Sequence, residues 1–218
     1  MTTASVPSLP TRGARATLRS QFRDTARLAI LDAAEATFSE HGLHGGRMEG
    51  IARRAGVAVG TLYNHFEDRD ALIRALIEER RREVIARVDA ALRDAPADFV
   101  PRLDAFVRAV FEHFERHRRF LAIVVHGEPD GTPPTLPRGL APPMPTLGEL
   151  ARRAEKLMAQ GIREKRLVAE RPQLLADLLV GMIRAALARE MLGPPGRRTS
   201  GELPKRVQRF FLQGARRA

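Results

Sequence analysis

Thr61, Tyr63, Asn64 and His65 crowd into five residues, directly after Val59 and Gly60, inside the stretch Ile51 to Phe66. An asparagine amide can bond an adenine edge at two atoms, and a threonine offers both a hydroxyl and a methyl. Tyrosine hydroxyls reach phosphate oxygens, which hold a protein in place without reading sequence. A glycine among them lets backbone come close to a base. Such a set recognises a groove of duplex DNA; it holds no nucleophile paired with a base.

These side chains need a scaffold that turns them outward. The stretch reads as two short helices, near residues 47–54 and 59–65, hinged at Gly56. Ala52 is small enough for the two to cross closely, and Gly56 can take the left-handed backbone of a tight inter-helix turn. Leu62, with Ile51 and Val57, pins the second helix to a core. That leaves Val59, Gly60, Thr61, Tyr63, Asn64 and His65 pointing largely away from it, the layout of a helix-turn-helix.

The rest of the chain reads as helical throughout. Leu31, Ala34 and Phe38, with Ile30 and Leu28, mark a helix that Gly42 ends, and Asp68 precedes a long one through Leu72, Leu76, Val84 and Val88. Arg80-Arg81-Arg82 on that helix, beside Glu78, Glu79 and Glu83, reads as a solvated charged face. A further helix carries Phe99, Leu103, Phe106, Val110 and Phe114 and breaks near His117. Seven prolines in the 19 residues 127–145 exclude a helix there, and three more helices follow near 146–164, 172–192 and 203–214. No alternating strand pattern occurs. The expected fold is all-α, of about nine helices, divided into a flexible basic arm (1–22), a helix-turn-helix DNA-binding domain (23–68) and a ligand-binding and dimerisation domain (69–218).

Composition narrows the function classes. The 218 residues carry a formal net charge of +11, which favours a polyanionic partner. Most of that surplus lies beyond residue 74, outside the helix-turn-helix, so the motif and not the charge carries the argument. There is no cysteine, which excludes disulfides and thiolate metal sites and fits a reducing cytoplasm. The longest apolar runs fall far short of the ~18 residues of a membrane span. No glycine-rich phosphate loop, nucleophile elbow or nucleophilic cysteine is present, so the chain reads as a non-enzyme.

Ile30-Leu31-Asp32-Ala33-Ala34, Phe38, Glu40 with Gly42, Ile51-Ala52, Ala55-Gly56-Val57, Gly60-Thr61-Leu62-Tyr63, His65-Phe66 and Leu72 together closely resemble the TetR/AcrR family of bacterial transcriptional repressors. The resemblance implies a homodimer with one helix-turn-helix per subunit, a helical ligand pocket in the C-terminal domain, and dimerisation through the last two helices. Carried over by position, Val59, Gly60, Thr61 and Asn64 would face base edges, and Tyr63, His65 and Arg69 would hold phosphates. Two positions depart from the family's usual residues. Arg47 stands where threonine is usual, removing a helix cap while adding a cation for a phosphate. Ala58 stands where serine is frequent and cannot cap the recognition helix, a loss worth roughly 1 kcal/mol. Arg12, Arg15, Arg19 and Arg23 make the arm basic; it is either a solubilising tail or a contact to DNA.

Other constellations allow more than one reading. Phe106, Val110, His113, Phe114, His117, Met158 and Met182 are candidates to line an effector cavity, although residues at such spacing also make ordinary core. His113 and His117, four apart with Glu112, Glu115 and His126 near in sequence, have the spacing of metal ligands but lack a clear third donor, so neither a metal nor a cofactor is assigned. Leu175, Leu178, Gly181, Met182 and Ala185, with Val207, Phe210 and Phe211, form the expected dimer seam. The 127–145 segment is either a gate to a pocket or a mobile connection.

The expected function is a cytoplasmic, homodimeric repressor that leaves a pseudo-palindromic double-stranded DNA operator when a small-molecule effector binds its C-terminal domain and shifts the long helix. Two alternatives stay open. One is a ligand-independent activator or nucleoid-associated protein of the same fold. The other is a helical carrier or enzyme.

Overall fold

A computed structural model describes residues 12–126, 136–137, 144–191 and 201–215. Among them are nine α-helices and no strand: α1 (Arg12–Gly45), α2 (Met48–Arg54), α3 (Val59–His65), α4 (Arg69–Asp94), α5 (Phe99–Arg116), α6 (Arg118–His126), α7 (Met144–Arg163), α8 (Pro172–Met191) and α9 (Glu202–Ala215). The contacts divide into two compact units, residues 1–72 and 73–218. α4 begins in the first and continues through the second.

In the first unit α1 starts at Arg12, about ten residues earlier than the arm expected from sequence. Residues 14–41 contain neither glycine nor proline, so nothing interrupts the helix. Of the expected arm, residues 1–11 lie outside the described ones. Gly42 breaks the helical path with φ +75, a conformation that disfavours any side chain. Ile30, Leu31, Ala34 and Phe38 of α1 meet Ile51 and Ala52 of α2, Leu62 of α3 and Leu72 in one buried core, whereas Leu28 stays exposed. Phe66 closes that core, with the Arg27 guanidinium 5.7 Å above its ring.

The second unit is built on α5. Phe99, Leu103, Phe106 and Val110 on its inner face pack with Val84 and Val88 of α4, Ala154 and Met158 of α7, Leu175 and Leu179 of α8, and Val207 and Phe211 of α9. Arg153 of α7 grips Asp89 of α4 with two hydrogen bonds of 2.6 and 2.7 Å, and Arg81 of α4 pairs with both Glu78 and Glu149. The Arg80–Arg82 run is not one solvated face. Arg80 is only 4% exposed, because it sits four residues from both Leu76 and Val84 on the inward stripe, while Arg82 remains in solvent.

The start of α5 is capped from a distance. Asp98 makes no side-chain cap, and Glu164, just past the end of α7, accepts the Phe99 N–H at 3.0 Å instead. Gly161 of α7 lies under the same corner, where an added Cβ would stand 2.8 Å from both the Phe99 ring and Leu167. Both neighbours are fully packed, so Gly161→Ala should destabilise the chain by about 1–3 kcal/mol through overpacking. Urea unfolding followed by circular dichroism measures this, and an unchanged midpoint would show that the corner is looser than described.

Candidate nucleic-acid interface

The α2–α3 turn follows from Gly56. Ala55 ends α2, Gly56 takes φ +69, and the chain reverses with Gly56 N–H bonded to Arg53 O at 3.2 Å and Val57 N–H to Ala52 O at 3.0 Å. This is the Schellman arrangement, in which a left-handed residue satisfies the last carbonyls of a helix. Leu62 is fully buried and fixes the rotation of α3. Val59, Gly60, Tyr63 and Asn64 consequently lie exposed, and Thr61 and His65 are half-buried beside them. A Cβ on Gly60 would meet nothing within 4 Å, so this side of the helix is open to an incoming surface.

The helix starts carry no side-chain caps. Arg47 and Ala58 occupy the two N-cap positions in extended backbone, and neither side chain bonds a helix N–H. Arg47 is exposed. Of the cations at the end of α2, Arg54 is committed to Glu40 of α1 through two hydrogen bonds of 2.6 and 2.7 Å, which clamp α1 to α2. The resulting pull holds the Arg54 pKa above its usual value. This clamp escapes a reading by spacing alone, since 14 residues separate its partners. Arg69 is half-buried, its guanidinium carbon 6.0 Å from the Phe38 ring centre, and its Nε has no hydrogen-bond partner among the described residues. The start of α4 is closed by Asp68, whose carboxylate accepts the Ala71 N–H at 2.6 Å.

In the second unit the candidate effector residues separate. Phe106, Val110 and Met158 are fully packed core, His113 and His117 are buried, and Met182 is half-buried. Phe114, also half-buried, lines an open cleft of about 520 Å³ with Phe111, Arg118 and Leu187. A second cleft, of about 630 Å³, went unnoticed in the sequence because its residues come from three helices. It gathers Arg93, Arg102, Arg152, Arg153 and Lys156 around Asp89. Of the 127–145 segment, residues 127–135 and 138–143 lie outside the described ones, as does the side chain of His126.

The residues of the expected dimer seam divide between two faces. Leu175, Val207 and Phe211 turn inward and are buried in their own subunit's core, so they are not free to meet a partner. Leu178 (53% exposed), Gly181, Ala185 and Phe210 (59% exposed) remain outside, with Met182 at the border and Leu174 added to the exposed set. Neighbours such as Leu174 and Leu175 differ by roughly 100° around a helix, so a seam drawn through both mixes two faces.

Comparison with known proteins agrees with this geometry. Residues 30–76 match the family model described as bacterial regulatory proteins, tetR family. The HTH-type transcriptional regulator UidR of Escherichia coli is 41% identical over 61 residues, 28% of this chain and 31% of that protein. The HTH-type transcriptional activator FasR of Mycolicibacterium smegmatis is 37% identical over 93 residues, 43% of this chain and 42% of that protein. The chain thus spans about a third to two-fifths of these relatives' lengths. Among solved structures, the fatty acid degradation regulator FadR from Bacillus halodurans superposes with a TM-score of 0.68 at 20% identity, covering 86% of this chain and 98% of that one. FadR from Bacillus subtilis, in complex with stearoyl-CoA, gives 0.67 at 19% identity with the same coverage. These two likenesses concern the fold alone.

Gly60 separates folding from recognition. Gly60→Ala has open space for its methyl and should leave stability unchanged or raise it by up to about 1 kcal/mol. The same methyl on the exposed face should weaken DNA binding about tenfold or more, the worth of a base contact. Thermal unfolding and fluorescence anisotropy on one preparation read both, and a variant that binds like wild type would remove Gly60 from the interface.

Proposed function

We propose that this chain, whose residues 30–76 match the model of the tetR family of bacterial regulatory proteins, is a homodimeric repressor that leaves its operator when a small molecule binds the second unit. The observation that carries the reading is α3: Leu62 buried beneath, Gly60, Tyr63 and Asn64 exposed above. Val59, Gly60, Thr61 and Asn64 take the base edges, and Tyr63, His65, Arg47 and Arg69 take phosphates. Two such helices on a dimer would enter successive major grooves, which suits a pseudo-palindromic site.

The dimer is made through the exposed face of α8 and α9. Leu174, Leu178 and Phe210 offer apolar area, and Gly181 and Ala185 let a partner helix come close. Domains follow the same division, with recognition before residue 69 and effector binding and dimerisation after it. Release runs through α4, whose first turn belongs to the DNA-binding unit and whose body is tied to α7 by Arg153–Asp89 and Arg81–Glu149. An effector that favours one position of α7 over another would move α4 with it, which is the differential contact a switch requires. The five cations of the α4–α5–α7 cleft favour an anionic effector, and the stearoyl-CoA complex of the Bacillus subtilis neighbour makes acyl thioesters the first class to screen.

The name of the Mycolicibacterium relative, an activator, supports a second reading in which the bound protein raises transcription. A reporter driven by the regulated promoter distinguishes the two. Deleting the protein raises expression under repression and lowers it under activation.

A mobility-shift assay with the region upstream of the protein's own gene tests recognition. The double substitution Tyr63→Ala with Asn64→Ala should lower affinity by about 2–4 kcal/mol, roughly a hundredfold, by removing a bidentate base contact and a phosphate contact. Binding that survives it refutes the assigned face. For assembly, Leu178→Glu places a charge on an already exposed position and should yield folded monomers in sedimentation velocity; a dimer that persists would move the interface elsewhere.

A further inference from the structure

The third donor that the spacing of His113 and His117 lacks is supplied in the second unit by Glu83. Glu83 of α4 stands opposite His113 and His117 at the end of α5, and one ligand atom from each lies within 4.8 Å of the other two. His117 is the residue at which α5 stops, its N–H bonded to His113 O at 3.2 Å, so both rings leave the same turn with centres 4.7 Å apart. We propose that Glu83, His113 and His117 form a binding site for a divalent transition-metal ion of the zinc class. The site goes beyond the regulatory reading and does not depend on it.

Geometry is the first support. Zinc bonds of about 2.0–2.2 Å in a tetrahedron set neighbouring donors about 3.3–3.6 Å apart. His117 Nε2 and Glu83 Oε2 already stand 3.2 Å apart, one edge of such a tetrahedron. His113 has to close by at most about 1.5 Å to complete the face, within the reach of a side-chain adjustment.

The second support is an unused donor. His113 is 2% exposed, yet its Nδ1 has no hydrogen-bond partner among the described residues. Buried polar atoms are nearly always bonded, and an exception calls for a missing partner.

The carboxylate is held for the purpose. Arg80, itself buried, donates to Glu83 Oε1 at 2.9 Å and leaves Oε2 toward the histidines, the outer contact that orients a metal-binding carboxylate. Arg80, Arg87 and Arg116 also repel a cation, so the site suits an ion that gains strongly from imidazole. Calcium and magnesium, which want several oxygens, fit poorly. Three protein donors leave one position for water or for an atom of a bound effector.

The test uses the full chain, stripped with a chelator, and Zn²⁺ alone as probe, in competition with a chromogenic chelator. One ion per chain is expected, with a raised thermal midpoint at saturation. Co²⁺ in its place should show the visible bands of a tetrahedral ion. Glu83→Gln and His117→Gln should each weaken Zn²⁺ binding about tenfold or more, whereas His41→Ala with His44→Ala should not. Glu83→Gln keeps an amide oxygen to accept from Arg80, so the helical circular dichroism spectrum should match wild type. Absence of stoichiometric binding, or binding unmoved by Glu83→Gln, overturns the site. DNA binding by the metal-free chain keeps this outcome distinct from a failure of the regulatory reading.

Discussion

A seven-residue helix has no independent stability in water, because nucleation fixes several residues for a single hydrogen bond. α2 and α3 are each of that length, and neither N-cap side chain satisfies a free N–H. What keeps them helical is burial. Ile51, Ala52 and Leu62 are fully excluded from water, and the Gly56 turn joins the two helices without strain because only glycine takes that backbone conformation freely. The Glu40–Arg54 clamp adds an orientation, although an exposed ion pair contributes little energy. Every exposed side chain on α3 inherits its direction from Leu62, so the exposed face of α3 is a consequence of core packing and not of local helix propensity.

Charge plays a different part in the second unit. Removing a guanidinium from water is costly unless it is paired, and Arg80 is buried among apolar neighbours with Glu83 as its partner. Asp89 and Glu149 similarly hold Arg153 and Arg81, and the pairing keeps Asp89 below the usual carboxylate range. The three arginines thereby bind α4 to itself and to α7 along one side. Bidentate geometry makes such contacts directional, in contrast to the apolar packing of Val84 and Val88 that accompanies them. Both kinds of contact fix α4 against α7.

How much of this was legible in the sequence depends on how local each determinant is. Gly56, Leu62 and the exposed set on α3 follow from spacing within sixteen residues, and the nine helices follow from periodicity and proline. The start of α1 is hidden in the sequence because a basic, serine- and threonine-bearing stretch has the composition of a tail, although it has no helix breaker after Gly13. Arg80 was readable and misread: charge type outweighed its place in the Leu76–Val84–Val88 stripe. The His113–His117 pair follows from spacing, but its third donor Glu83, the cationic cleft and the distant Glu164 cap do not. Each needs the packing of helices far apart in the chain, and no periodicity within one helix encodes which faces meet.

α8 shows the limit in the other direction, where sequence saw apolarity on every side but not how it is shared. A helix apolar all round is normally buried all round. Leu175, Leu179 and Ile183 spend one face in their own core, yet Leu174, Leu178, Gly181 and Ala185 leave the other in solvent, and Phe210 of α9 is exposed as well. Scattered exposed leucines need no explanation, but a contiguous apolar strip edged by small residues is the surface on which helices from separate subunits approach closely. A self-complementary patch that meets its own copy closes with two-fold symmetry. Two-fold symmetry is also what a pair of identical recognition helices must have to read a palindrome, so the proposed dimer would place the unspent face of α8 and the exposed face of α3 under one symmetry axis.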